Sequence, residues 1–151
     1  MKNFIVATII LAMISMVNAK TEFVPCVFCY PVPILPIITF TPDPVVAGKP
    51  ANFTIKTVLD KDVTTGDKFV VAFVQSGISP IFEPTAVDIC SEKKCPIKAL
   101  TLIDMTTSVT IPADLPKEYS IMVFISDHND PMNQSPLACG ICTEGNCGSD
   151  N

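Results

Sequence analysis

Seven cysteines and one histidine are the residues of this 151-residue chain whose types could carry chemistry. Cys26 and Cys29, and again Cys139 and Cys142, stand with two residues between them, the spacing of zinc knuckles and of thiol–disulfide motifs. Two such pairs could supply a four-thiolate site. Neither pair has a histidine or basic residue beside it to depress a thiol pKa, so structural bridges are the better reading and no metal site is expected. Cys90 and Cys95, with Pro96 behind them, cannot sit inside one regular helix or strand. A bridge needs alpha carbons within roughly 7 Å, whereas five extended residues span about 17 Å, so it forms only if the chain doubles back. Residues 88–97 therefore read as a short loop closed on itself, a clamp between two strands. Other partners for the two thiols, or a metal, are the alternatives. An odd number of cysteines leaves one thiol over, and the partners of Cys26, Cys142 and Cys147 are open at this point.

Catalysis finds little footing. His128 stands in residues 126–131, a loop by composition, where a lone histidine is ordinarily solvated. No Gly-x-Ser-x-Gly elbow or His-Glu-x-x-His helix occurs, and Glu83 and Asp88 are unpaired in pattern. The expectation is no catalytic residue, no cofactor and no enzyme.

Behind these groups stands a chain with a secretory leader. Residues 1–19 have a positive start, an apolar run from Phe4 to Val17 and a small-residue cleavage site at Val17, Asn18 and Ala19. That run is shorter than the ~20 apolar residues a membrane helix needs. The reading is therefore export, to the outside or to an endomembrane lumen, where disulfides are the expected state. Without Lys2 the chain from Lys20 carries nine lysines, no arginine and fifteen acidic residues, a formal charge of 9 − 15 = −6. Nucleic acid is a poor partner for that balance.

The rest divides into short strands separated by Pro, Gly and Asp. Residues 21–36 are proline-rich and extended, and residues 37–40 are a first strand. In residues 51–57, Phe53 and Ile55 alternate with polar Asn52, Thr54 and Lys56, the period of a half-buried strand. Residues 68–74 are apolar on both faces, with Phe69, Val71 and Phe73 on one, so that strand lies centrally. Two further runs, 99–105 and 106–111, flank Asp104, and residues 119–126 place Tyr119, Ile121, Val123 and Ile125 on one face. No stretch holds a helical apolar period over ten residues. The fold class is all-β, an immunoglobulin-like two-sheet antiparallel sandwich spanning residues 20–139, with an irregular cysteine-containing tail over 140–151. Asn52 and Asn133 each open an N-glycosylation sequon. Asn52 is the stronger acceptor because it opposes Phe53 on its strand, whereas Pro136 follows the second sequon.

Several stretches in consistent order resemble the ML lipid-recognition domain family. They are Phe40-Thr41-Pro42-Asp43-Pro44-Val45-Val46-Ala47-Gly48-Lys49, then Asp88-Ile89-Cys90 with Cys95-Pro96-Ile97, then Ile111-Pro112 through Leu115-Pro116 to Tyr119, and Leu137-Ala138-Cys139. Fungal phosphatidylglycerol/phosphatidylinositol transfer proteins and Niemann-Pick-type sterol carriers are the members it looks most like. The resemblance implies splayed sheets around an apolar lipid cavity, a Cys90–Cys95 bridge, and a second bridge from the lead to the last strand. We take Cys29 with Cys139 for the latter, Cys26 being the alternative. It also implies a lipid ligand, phospholipid or sterol, walled by Phe53, Ile55, Phe69, Val71, Phe73, Ile121, Val123 and Ile125, in a monomer making transient membrane contact, secreted or held in a vacuole- or lysosome-like lumen. A ~16-carbon acyl chain withdrawn from water is worth on the order of 12 kcal/mol before ordering costs. With no arginine, a headgroup would be met by Lys93, Lys94 or Lys98, with modest selectivity. The likeness weakens after Cys139, where the usual apolar final strand gives way to Gly140-Ile141-Cys142-Thr143-Glu144-Gly145-Asn146-Cys147, and at Lys117-Glu118, where family members often have a glycine before the tyrosine. The rival reading is a solid immunoglobulin-like interaction module or a cysteine-rich effector without a lipid cavity.

Overall fold

The computed structural model describes residues 21–75, 79–130 and 135–142. The expected leader, Asn133 and the residues beyond Cys142 lie outside them. Among the described residues, nine strands form two antiparallel sheets: β1 (Val24–Pro25), β2 (Ile37–Thr41), β3 (Pro50–Val58), β4 (Lys68–Gln75), β5 (Ser79–Pro80), β6 (Thr85–Asp88), β7 (Leu102–Thr110), β8 (Ser120–Ile125) and β9 (Ala138–Cys142). One sheet is ordered β1-β9-β8-β4-β5 with β6 also on β4, and the other β2-β3-β7. A short helical turn, α1 (Ile89–Glu92), sits between β6 and β7, capped by the Asp88 carboxylate accepting from the Cys90 N–H at 2.8 Å.

The two strand types follow from side-chain pattern. Along β3, Ala51, Phe53, Ile55 and Thr57 turn inward while Asn52, Lys56 and Val58 are exposed, the alternation of a strand with one wet face. On β4, every residue from Phe69 to Val74 is buried. Its inner face meets the other sheet. Its outer face, Val70, Ala72 and Val74, packs with Phe124, Ile141 and the cysteines of the lead as a second apolar layer. The lead is thus a cover, which is why a strand this near the surface can be apolar throughout.

Three expectations need correction. Residues 99–105 and 106–111 are not two strands but one, β7, which pairs with β3 over its full length from Val58↔Leu102 to Pro50↔Thr110. Asp104 faces outward there and meets Lys56 at 2.9 Å, so the charge breaks nothing. Gly140, Ile141 and Cys142 do not begin an irregular tail; they complete β9, which closes the larger sheet between β1 and β8. Composition hid this strand because its middle residue is a glycine. A Cβ on Gly140 would stand 2.6 Å from Cδ1 of Ile38 in β2 and 3.2 Å from Cδ1 of Leu35 in the lead, so a larger residue there would push these two side chains aside. Finally, it is Cys26 that bridges to Cys139, across 113 residues, and Cys29 is a free, buried thiol. Cys26 follows directly on β1, whose Pro25 pairs with Gly140, and so arrives beside Cys139. Cys29 lies a turn further on, its N–H donating to the Cys26 carbonyl at 3.2 Å.

The sandwich has two ends. At one, β3 and β8 finish and β4, β7 and β9 start; it holds Val58, Leu102, Lys68, Asp88, Ile125 and Ala138. The Cys90–Cys95 bridge lies in the connection at this end, which we call the clamp end. The far end holds Pro50, Thr110 and Ser120.

Candidate functional site

The eight apolar residues singled out from the sequence come together between the sheets. Phe69↔Ile125, Val71↔Val123 and Phe73↔Ile121 are cross-strand partners on the inner face of the larger sheet. Phe53 and Ile55 belong to the same buried cluster from the smaller sheet. All eight are buried, none more than 4 % exposed. Sequence reading did not name the other inward residues of the smaller sheet. Ile103, Met105 and Val109 of β7 face inward, as do Ile38 and Phe40 of β2. Phe40 stacks on Phe53 with ring centroids 5.1 Å apart, and Tyr119 lies 6.0 Å from Phe73. Burial raises the Tyr119 phenol above its ordinary pKa, so it stays a neutral hydroxyl. The alternation of β7, Ile103, Met105, Val109, is legible once the run is taken as one strand.

The two long seams of the sandwich differ. On the side of the lead the sheets are held together: Ile34 pairs with Ala138, Cys139 N–H donates to the Ile34 carbonyl at 3.0 Å, and Cys26–Cys139 ties the lead to β9. On the opposite side, no backbone hydrogen bond among the described residues joins β7 to β5 or β6. That seam is bordered by the partly buried Ile81, Phe82, Ile97 and Leu115, which pack onto the core. Its contacts are between side chains except at the clamp end, where Val63 and Ile97 exchange backbone hydrogen bonds of 2.8 and 2.9 Å.

Among the described residues, one buried side-chain polar atom stands without a partner in this interior. The Thr57 hydroxyl, on the inner face of β3 opposite Ile103, is buried without a hydrogen-bond partner. A buried hydroxyl left unpaired costs about 1–3 kcal/mol.

At the clamp end, His128 is an exposed loop residue, as composition suggested, but one fixed by a buried partner. The carboxylate of Asp67, itself buried, accepts at Oδ2 from the Thr64 N–H (2.7 Å) and at Oδ1 from both the N–H and the Nδ1 of His128 (2.8 Å each). Its carbonyl accepts from the Ile89 N–H at 3.0 Å. Asp67 therefore ties the turn before β4, the loop after β8 and the start of α1 into one unit. Gly66 before it has φ +101° and passes so close to His128 that a Cβ would stand 3.0 Å from the His128 Cβ. Ligand atoms of Asp67, Asp127 and His128 lie within 4.8 Å of one another. Three hydrogen bonds already occupy the Asp67 carboxylate, however, so the group reads as a loop clamp. Nor is it a nucleophile relay: the Thr64 hydroxyl, 3.4 Å away, lies against the same Nδ1 that faces Asp67, whereas a relay needs nucleophile and carboxylate on opposite ring nitrogens.

Ion pairs decorate the same end. Lys98 meets Asp62 at 2.8 Å, holding that carboxyl below its usual range together with the Ala99 N–H. Burial alone would raise Asp127, but hydrogen bonds from Asn129, with Lys61 and His128 nearby, outweigh it and lower its pKa. Of the three lysines expected at the rim, Lys98 is thus engaged, and Lys93 and Lys94 are exposed on the bridged loop. Asn52 is exposed on the outer face of β3, toward the far end. The free Cys29 thiol is pushed above its ordinary pKa by burial and by the nearby Asp130 charge.

Residues 20–140 match the family model described as ML domain (E1_DerP2_DerF2). The chain belongs to the ML domain family. Among solved structures, this ML domain is similar to chicken MD-1 complexed with lipid IVa, at 14% sequence identity and a TM-score of 0.48, over 74% of this chain and 80% of that one. A comparison with curated proteins finds no match.

Proposed function

We propose that this protein binds a lipid, phospholipid or sterol, between its two sheets and carries or presents it, as a secreted or lumenal monomer. Membership of the ML domain family is the observation that carries the reading. The narrower kinship we favour is with the fungal phospholipid transfer proteins and Niemann-Pick-type sterol carriers. Two features support it. The inner faces are apolar apart from Thr57, and no backbone hydrogen bond among the described residues joins β7 to β5 or β6, the Val63–Ile97 pair lying in the loops at the clamp end, so the sheets can part along that seam and admit an acyl chain. The wall residues are Phe53, Ile55, Phe69, Val71, Phe73, Ile121, Val123 and Ile125. Glycosylation at Asn52 and Asn133 fits the exported setting. A second reading, a solid immunoglobulin-like module, is favoured by one observation: those eight side chains are all shielded from solvent.

Lipid binding and thermal unfolding measured on the same variants separate the two. In a carrier, Val123→Ala keeps the fold and weakens uptake of a fluorescent phospholipid about tenfold, and native mass spectrometry of the protein from its own cells finds a co-purifying lipid. In a solid module, Phe73→Asp and Val123→Asp only unfold the protein, and the wild type takes up no lipid.

A further inference from the structure

Of the large apolar side chains exposed among the described residues, all but Val24 and Val46 belong to the clamp end, a bias that neither the fold nor the core requires. The register explains how they gather. Strand β1 runs toward that end, since Val24 pairs with Ile141 and Pro25 with Gly140. The lead is pinned at Cys26–Cys139 and again where Ile34 pairs with Ala138, so residues 27–33 form a loop projecting past the sheet edge. Val27 is 76% exposed and Tyr30 91% exposed on that loop. It is fixed at its middle, because the Ser135 hydroxyl donates to the Tyr30 carbonyl at 3.1 Å and Cys29 is buried beneath. A second projection rises from the smaller sheet, where Val58 and Leu102 are cross-strand partners on the outer face. Leu100 beside them is 79% exposed and held in the left-handed region at φ +63°, its N–H donating to the Leu59 carbonyl at 2.8 Å. A leucine seldom adopts that backbone.

We infer that this end docks on the surface of a phospholipid bilayer, the two projections entering the headgroup layer. This rests on the proposed lipid-carrying function, for which the end would be where cargo is exchanged. The occupant is chosen by chemistry. No charged residue stands between Glu22 and Asp43, so the first projection offers a protein partner no ionic handle, and docking sites for proteins combine anchors with a polar rim. Two separate convex apolar tips, one with Tyr30 at its crest, suit a fluid apolar layer beneath a polar one. The headgroups are zwitterionic. The chain is net negative at −5, Lys61 and Lys98 at this end are engaged by Asp127 and Asp62, and the exposed Lys93 and Lys94 stand among Asp60, Asp88, Glu92 and Asp130, which leaves little net attraction for an anionic surface. Asn52, the exposed sequon, is toward the opposite end of β3, where a glycan would not obstruct contact.

The chain contains no tryptophan, so Tyr30→Trp and Leu100→Trp each install a single reporter, with Ser108→Trp on the outer face of β7 as control. On adding phosphatidylcholine vesicles, emission at 30 and 100 should shift to the blue and be quenched by brominated acyl chains. The reporter at 108 should not respond. The effect should persist in about 0.5 M salt, where surface charges are screened. Val27→Ser and Leu100→Ser, both at exposed sites, should each weaken vesicle binding about tenfold while leaving uptake of a fluorescent fatty acid from solution unchanged. No shift at either reporter overturns the inference. So does binding that requires phosphatidylserine and vanishes in salt, or a shift that grows with protein concentration without vesicles, which would make a second copy the occupant. Docking without any fatty-acid uptake supports the surface and overturns the carrier reading alone.

Discussion

Thr57 is the residue whose environment most needs an explanation, because a hydroxyl sealed among Ile103 and its neighbours without a partner costs stability and gives none back. It lies near the clamp end of the inner face, so a ligand polar group reaching that depth would find one hydrogen-bond donor and acceptor waiting. Thr57→Val removes the orphan without changing shape. The lipid-free protein should gain about 1 kcal/mol, raising the unfolding midpoint by about 3 °C. The same variant should lose preference for a sterol over its 3-deoxy analogue. Calorimetry and competition binding read the two effects separately, and an unchanged midpoint would mean the hydroxyl is already satisfied. Asp67 is the opposite case, a buried carboxylate with every nearby donor directed at it. Neither residue is readable from sequence. Thr57 continues a legible alternation and passes for an ordinary inward position, while the partners of Asp67 include His128, 61 residues away, a distance over which no local pattern operates.

Among the elements, strands with a strict period declared themselves: β3 alternates, and β4 and β8 carry the partners Phe69↔Ile125, Val71↔Val123 and Phe73↔Ile121 on one face. Strand β9 did not, since its burial comes from the lead packed with Cys139 and Ile141 and from Ile38 of β2 facing its central glycine. The two bridges also differ in what they do to these elements. Cys26–Cys139 closes 113 residues and holds the lead against β9, whereas Cys90–Cys95 closes five. On the chain-entropy view the first should be worth about 4–5 kcal/mol and the second about 2 kcal/mol. Paired serine replacements at Cys26 and Cys139 should therefore lower the denaturation midpoint at least twice as far as replacements at Cys90 and Cys95. The latter should instead loosen the loop, seen as faster amide exchange around Ile89. Equal losses from both pairs would contradict the assignment of the lead as the structural clip.

For the molecule as a whole, the class and the two-sheet architecture were legible, while the asymmetry between the ends was not, because it depends on which loops the register brings together. That asymmetry has a pH signature. Asp62 and Asp127, both at the clamp end, have folded pKa values below the ordinary 3.8. Their contribution to stability is present above the unfolded carboxylate pKa and is lost as pH falls through the depressed folded values. Acidification below about pH 4 should thus free the loops of the clamp end before the sandwich opens. Amide exchange followed from neutral pH downward should show protection around Ala99 and Asn129 falling while that of Val71 and Val123 holds. Simultaneous loss throughout would mean that the end is not a separable unit.

Strand β9 lies between β1 and β8, so the first strand of the fold finds its neighbour only when the last has been made. During synthesis at roughly 5–20 residues per second, the 113 residues between Cys26 and Cys139 take on the order of ten seconds to appear. For all that time the apolar lead has no sheet to cover, and once Cys90 and Cys95 have emerged they stand with Cys26 and Cys29 in the absence of Cys139. The nascent chain must therefore be protected against premature pairing by whatever receives it, and its yield should depend on thiol–disulfide isomerase capacity more than its two described bridges alone would suggest.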